Sequence, residues 1–138
     1  MTTVEHKQIL HRYVDSVNRG KLDIINNEVL DRNFVYHGIG EESQLSKEEY
    51  LNFLHEVRQA FPDFNVCIDE LVAEDERVAY RMTVSGTHKG EFKGIAPTGK
   101  KFTVSTMGIV LFKNGKIAEE WEIYDAMGVL VQLGALAT

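Results

Sequence analysis

The sequence predicts an α+β fold in which helices come first and a meandering antiparallel sheet follows. Three observations carry that reading. Apolar residues recur at three-to-four spacing from Ile9 to Val17 and again from Tyr50 to Phe61, the period of one helix face. From Phe64 onward the period changes to two, the period of a strand. Asn114-Gly115 then separates two alternating runs, the strongest short signal for a hairpin.

The elements follow in order. Thr2 and Glu5 have the spacing of a capping box, and Ile9, Leu10, Tyr13, Val14 and Val17 mark one helix face behind it. Gly20 is the expected stop. Leu22, Ile24, Ile25, Val29 and Leu30 read as a short helix packed on the first. Asn33 to His37 is a candidate strand closed by Gly38 and Gly40, and the polar stretch Glu41 to Leu45 reads as a loop. Ser46 and Glu49 form a second capping box, followed by Tyr50, Phe53, Leu54, Val57, Ala60 and Phe61 on one face, with Pro62 ending the helix. Phe64, Val66, Ile68 and then Leu71, Val72 suggest a strand bulged where the parity slips. Asp75-Glu76 is a turn, and Arg77 to His88 alternates cleanly. Glycines 86, 90, 94 and 99, with Pro97, punctuate the next connection before strands over Phe102–Phe112 and Lys116–Asp125. No repeat or linker interrupts the chain, so residues 1–138 are expected to form a single domain.

Composition excludes several functions. The chain has 138 residues and a formal net charge of −6, with no run of Lys or Arg, so nucleic acid is not an expected partner. The single cysteine, Cys67, rules out an internal disulfide and a multi-cysteine zinc site. No apolar stretch approaches the ~20 residues of a membrane span, and the first residues lack the pattern of a signal peptide. A soluble, cytoplasmic protein with no membrane partner is expected.

A two-residue turn at Asn114-Gly115 sets Lys113 opposite Lys116 and carries a register with it. Phe112 then opposes Ile117, Val110 opposes Glu119, Gly108 opposes Trp121 and Thr106 opposes Ile123. One face holds these residues with Asp125; the other holds Leu111, Ile109, Met107, Ala118, Glu120, Glu122 and Tyr124. Both faces are largely apolar, whereas a small sheet usually wets one of them. One face would meet the helices and the other a second chain, which predicts a homodimer; cover by the C-terminal tail is the alternative. In this register Glu119 and Asp125 sit among apolar neighbours, where lost solvation raises a carboxyl pKa and suits it to proton transfer near neutral pH. Asp125 could equally cap the segment Met127–Leu133. A one-residue slip would exchange the two faces.

Other groups carry a chemical and a structural reading side by side. His37 and His88 could polarise a carbonyl or pair with Asp125; His88 could equally be a turn residue that holds the glycine-rich loop. No HxH, HxxxH or HxxE spacing surrounds them, so no metal is expected. Arg81 could bind an anionic group or simply face solvent. Tyr13, Tyr36, Tyr50 and Tyr80 supply phenols that orient a carbonyl or fill a core. Cys67 reads as a small core residue.

Four segments together resemble a known family: Gly86-Thr87-His88-Lys89-Gly90-Glu91-Phe92, Gly94-Ile95-Ala96-Pro97-Thr98-Gly99-Lys100, Gly115 to Trp121 with Asp125, and Gly128 to Gly134. They are similar to the SnoaL-like polyketide cyclases, also called predicted ester cyclases. Tyr13, Val35-Tyr36-His37 and Ala60-Phe61-Pro62-Asp63 add weaker support. The resemblance implies a cone-shaped, curved antiparallel sheet wrapped around N-terminal helices, the cystatin-like arrangement of ketosteroid isomerase, with a deep apolar cavity for a small apolar molecule. It implies dimers through the outer sheet face, and intramolecular aldol cyclisation of a ketide-like ester without metal or cofactor. By the same resemblance an aspartate takes the proton, here Asp125. The family often has His-Trp-Asp where this chain has Glu120-Trp121-Glu122, which makes Glu122 a second candidate base; His88 stays a candidate acid-base partner of Asp125. The expected pocket lining is Tyr13, Tyr36, His37, Phe53, Arg81, Thr106, Glu119 and Trp121. A dehydratase, an epoxide hydrolase or a non-catalytic binder of small apolar ligands would fit the same cone.

Overall fold

The computed structural model describes residues 1–40 and 43–136. Helix α1 spans Thr3–Asn18 and opens on the expected capping box: the Thr2 hydroxyl accepts from the Glu5 amide at 3.1 Å. Gly20, at φ +68°, turns the chain out of it. The short helix predicted next is only the three residues of α2, Leu22–Ile24, continued as a π-helical turn, Ile25–Val29. Strand β1, Leu30–Gly38, is longer than its sequence signal. The stretch read as a loop contains a strand, β2 (Ser43–Ser46), which pairs antiparallel with β1; Glu41 and Glu42 lie outside the described residues. Polar side chains hid β2, because an edge strand needs only backbone pairing. Helix α3, Lys47–Ala60, follows its capping box directly.

Four strands complete the sheet: β3 (Asn65–Glu74), β4 (Arg77–Thr87), β5 (Lys101–Lys113) and β6 (Lys116–Tyr124). The predicted bulge in β3 falls between Ile68 and Glu70. Asn114 and Gly115 both have positive φ, 50° and 78°, as a tight type I′ hairpin requires. Helix α4, Ala126–Gln132, ends the fold. The strand order is β2-β1-β6-β5-β4-β3. The sheet is curved, unclosed and mixed rather than purely antiparallel, because β1 lies parallel to β6. The chain from β2 through α3 to β5 supplies the long connection that parallel pairing of β1 with β6 needs.

One apolar cluster gathers Leu10, Ile25, Leu30, Phe34, Val110, Phe112 and Ile117 where α1 and the π-turn meet the sheet. A second gathers Val57, Ala60, Phe61, Phe102, Val104, Val129 and Leu133 around α3 and α4. The cavity described below takes walls from both.

Candidate active site

A single extra residue in β6 decides what the cavity contains. The hairpin begins as expected, with Lys113 opposite Lys116 and Phe112 opposite Ile117. The next pair is Leu111 with Glu119, so Ala118 has no partner of its own and forms a bulge. Beyond it Val110 faces Glu120, Ile109 faces Trp121, Gly108 faces Glu122, Met107 faces Ile123 and Thr106 faces Tyr124. The expected face is therefore correct on β5 and reversed on β6. Glu120, Glu122 and Tyr124 turn inward; Glu119, Trp121 and Ile123 turn outward.

The cavity has a volume of about 130 Å³. Helix α1 offers Tyr13, Val14 and Val17, and α3 offers Tyr50, Phe53, Leu54 and Val57 at helical spacing. Strand β4 contributes Tyr80, Met82 and Val84 at strand spacing, and Phe61, Phe64, Phe92 and Phe102 close much of the rest. Against this apolar wall stand, among the described residues, two carboxyl groups, Glu120 and Glu122, and no Lys, Arg or His.

Glu120 is 3 % exposed. Its Oε2 accepts from the Tyr80 hydroxyl at 2.5 Å and its Oε1 from the Tyr13 hydroxyl at 3.1 Å. The Tyr50 hydroxyl in turn bonds the Tyr13 oxygen, which makes a relay of phenols ending on one carboxyl. Burial pushes the Glu120 carboxyl up to about 8, and the neighbouring Glu122 charge adds to that, while the two phenols pull it part of the way back. Glu122 accepts from the Tyr36 hydroxyl at 2.6 Å, and the Thr106 hydroxyl lies 2.9 Å from its other oxygen. Burial raises all four tyrosines, most strongly before the glutamate charges add to it, so they remain protonated donors. Gly108 makes this closeness possible. A Cβ there would stand 2.5 Å from the Tyr80 hydroxyl oxygen, so only glycine leaves that phenol its path to Glu120.

Five expected site residues line the cavity: Tyr13, Tyr36, Phe53, Thr106 and Glu122. The others do not. Asp125 is exposed and caps α4, its Oδ1 accepting from the Gly128 amide at 2.8 Å, which is the capping role weighed for it in the sequence. The bulge removed the alternation that was to carry it inward. Glu119, expected in the pocket, lies on the outer sheet face and binds His37 Nε2 at 2.6 Å. His37 itself stacks on Trp121 with centroids 5.2 Å apart, so both also leave the pocket. Arg81 points outward between Asp69 and Glu70, at 3.7 and 3.6 Å, because its strand neighbours Tyr80 and Met82 take the inner positions. His88 is fully buried outside the cavity lining, where it ties the two ends of the β4–β5 connection: its Nδ1 meets the Thr98 hydroxyl at 3.1 Å. Cys67 is exposed rather than in the core.

Glu120 is the residue that sequence reasoning assigned to the wrong face. Its signal was a glutamate where the family often carries histidine, two positions before Glu122. Tyr50 and Tyr80 were legible only as phenols of undecided role. Among the described residues no group of three or more His, Cys, Asp or Glu side chains comes together to hold a metal, and no helix is long and apolar enough to cross a membrane.

A curved, unclosed sheet around N-terminal helices is the ketosteroid-isomerase-like fold. A protein of that fold from Catenulispora acidiphila superposes with a TM-score of 0.79 at 13% identity, covering 93% of each chain. Within the class, the chain belongs to the SnoaL-like polyketide cyclase family, whose model matches residues 7–133. It is 27% identical over 128 residues to the aklanonic acid methyl ester cyclase of Streptomyces galilaeus, covering 91% of this chain and 88% of that one. The crystal structure of AclR, a hydroxylase candidate from the same organism, matches with a TM-score of 0.89 at 30% identity over 99% of this chain and 89% of its own.

Proposed function

We propose that this protein is a cyclase that closes a ring in a ketide-like ester by intramolecular aldol addition, with Glu122 as the base. The observation that carries the proposal is the pair of carboxyl groups in an apolar cavity, one of them pushed up to about 8. A carboxyl group raised this far holds its proton near neutral pH and serves as the acid beside a second carboxyl group that serves as the base. Glu122 takes the proton from the carbon next to a carbonyl. The enolate carbon attacks a ketone in the same molecule and forms the new C–C bond. The alkoxide produced takes the proton of Glu120, and proton exchange between the two carboxyl groups and solvent restores both. Tyr36 and Thr106 hold Glu122 in place, and Tyr13 and Tyr80 hold Glu120. The chain's own residues supply every proton transfer in this scheme, so it calls on no cofactor. Aromatic β-keto esters bearing a second ketone are the test substrates. Chromatography should show the cyclised isomer with wild type and a loss of at least about 100-fold with Glu122→Gln. Undiminished cyclisation by that variant would overturn the assignment.

The same reading includes a homodimer through the outer sheet face, where Met107, Ile109 and Ile123 are 54, 42 and 48 % exposed. Exposed apolar area of this kind favours burial against a second copy.

A further inference from the structure

We propose that a second pocket beside the cavity holds the carboxylate end of an elongated ligand, with Arg58 as its anchor. The pocket has a volume of about 160 Å³ and shares three wall residues with the cavity, Val17, Leu54 and Phe64. All three are only partly buried. The two spaces thus adjoin at these three residues, and their charges are opposite. Among the described residues, the cavity carries two carboxyl groups and no cation, and the second pocket is lined by Arg58, His55 and Gln59 and by no acid.

Arg58 is held in a way that leaves it able to bind. Its Nη1 donates to the carbonyls of Asn18 at 3.0 Å and Val17 at 3.4 Å, at the C-terminal end of α1. Those bonds fix the guanidinium plane and use one nitrogen of three. Among the described residues no carboxylate lies within 4 Å of it, in a chain with an acidic excess. Gly20 gives the group its room: a Cβ there would stand 2.7 Å from Arg58 Nε. An anchored guanidinium with unpaired donors in a concave, acid-free pocket favours a carboxylate, which it meets with two parallel hydrogen bonds. The glutamates repel the same group from the cavity. The pair of pockets therefore orients a ketide-like ester that carries a separate carboxylate at its far end, reactive carbonyl inward and acidic end toward α1. This deepens the cyclase reading and rests on it for the position of the carbonyl.

Calorimetry with a series of ω-phenylalkanoates of increasing length, each beside its methyl ester, tests the pocket. Above the length that spans both spaces, wild type should bind the acid about 10-fold or more tightly than the ester. Arg58→Gln should bring that ratio to about one, and Arg58→Lys should keep only part of it. Because Arg58 also caps α1, Gln59→Glu provides an independent variant: Gln59 is exposed, and a carboxylate there should cancel or reverse the preference without disturbing the fold. Equal or tighter binding of the esters by wild type, or a preference that survives both Arg58→Gln and Gln59→Glu, overturns the proposal. Proton exchange at a keto ester is read separately. Exchange without acid preference rejects the Arg58 pocket alone, and acid preference without exchange rejects the cyclase reading alone.

Discussion

Glu120 and Glu122 are two residues apart on one strand, yet their surroundings differ in a way that chemistry can use. Glu120 is buried under two phenols and raised to about 8; Glu122 is held by Tyr36 and Thr106. If Glu120 must be protonated to act as the acid, kcat/KM should fall as pH rises through about 8. Glu120→Gln should lower the rate and abolish that alkaline limb. Tyr80→Phe should move the limb to higher pH, because the Tyr80 hydrogen bond lowers the Glu120 value; a pH–rate profile of each variant checks both. Of this chemistry, Glu122 was legible in the sequence from its place after Trp121. Glu120 was not, because nothing in the string Ile117-Ala118-Glu119-Glu120 marks which glutamate is buried.

The reason lies at the level of the hairpin. Turn chemistry at Asn114-Gly115 is legible in two residues, and it set the first two pairs of β5 and β6 correctly. The bulge at Ala118 comes from packing. It keeps Ile117 in the core with Phe112 and then resets the parity, and either parity would have given an apolar-looking face. One residue of slip moved Trp121 and Glu119 out and brought Glu120 in. A mid-strand glycine was the visible trace of the true register, because Gly108 faces Glu122 and clears the path of Tyr80. Gly108→Ala should destabilise the fold by about 1–3 kcal/mol in urea denaturation through this overpacking, and should weaken proton transfer by displacing the Tyr80 hydroxyl. An unchanged midpoint would contradict the close packing described here.

For the molecule as a whole, the α+β class and the helix caps were legible because they depend on periodicity and capping, which are local, whereas the cone came from the family resemblance of the glycine-rich segments. The edge strand β2 and the parallel pairing of β1 with β6 were not, since backbone pairing across a crossover leaves little mark on side-chain pattern. Keeping a carboxyl buried carries a consequence for folding stability. Glu120 titrates near 4.5 when unfolded and near 8 when folded, so between those values the folded state holds the extra proton. Stability should therefore be full below about 4.5 and fall as pH rises toward about 8, by at most about 1.4 kcal/mol per pH unit from this group. Glu120→Gln should flatten that slope in urea titrations across the window. The exposed apolar outer face makes a second expectation at this scale. Ile123→Lys should shift the sedimentation coefficient from dimer to monomer while leaving the far-UV spectrum unchanged, and a wild type that sediments as a monomer would refute the interface.

The measurement that bears most directly on the account is deuterium uptake from heavy water at the carbon between the carbonyls of an aromatic β-keto ester. It compares Glu122→Gln with Asp125→Asn. Uptake reads proton removal even where the ester cannot cyclise. Asp125→Asn, altering an exposed cap of α4, should exchange at close to the wild-type rate, while Glu122→Gln should lose at least about 100-fold. Exchange that survives in Glu122→Gln and collapses in Asp125→Asn would contradict it.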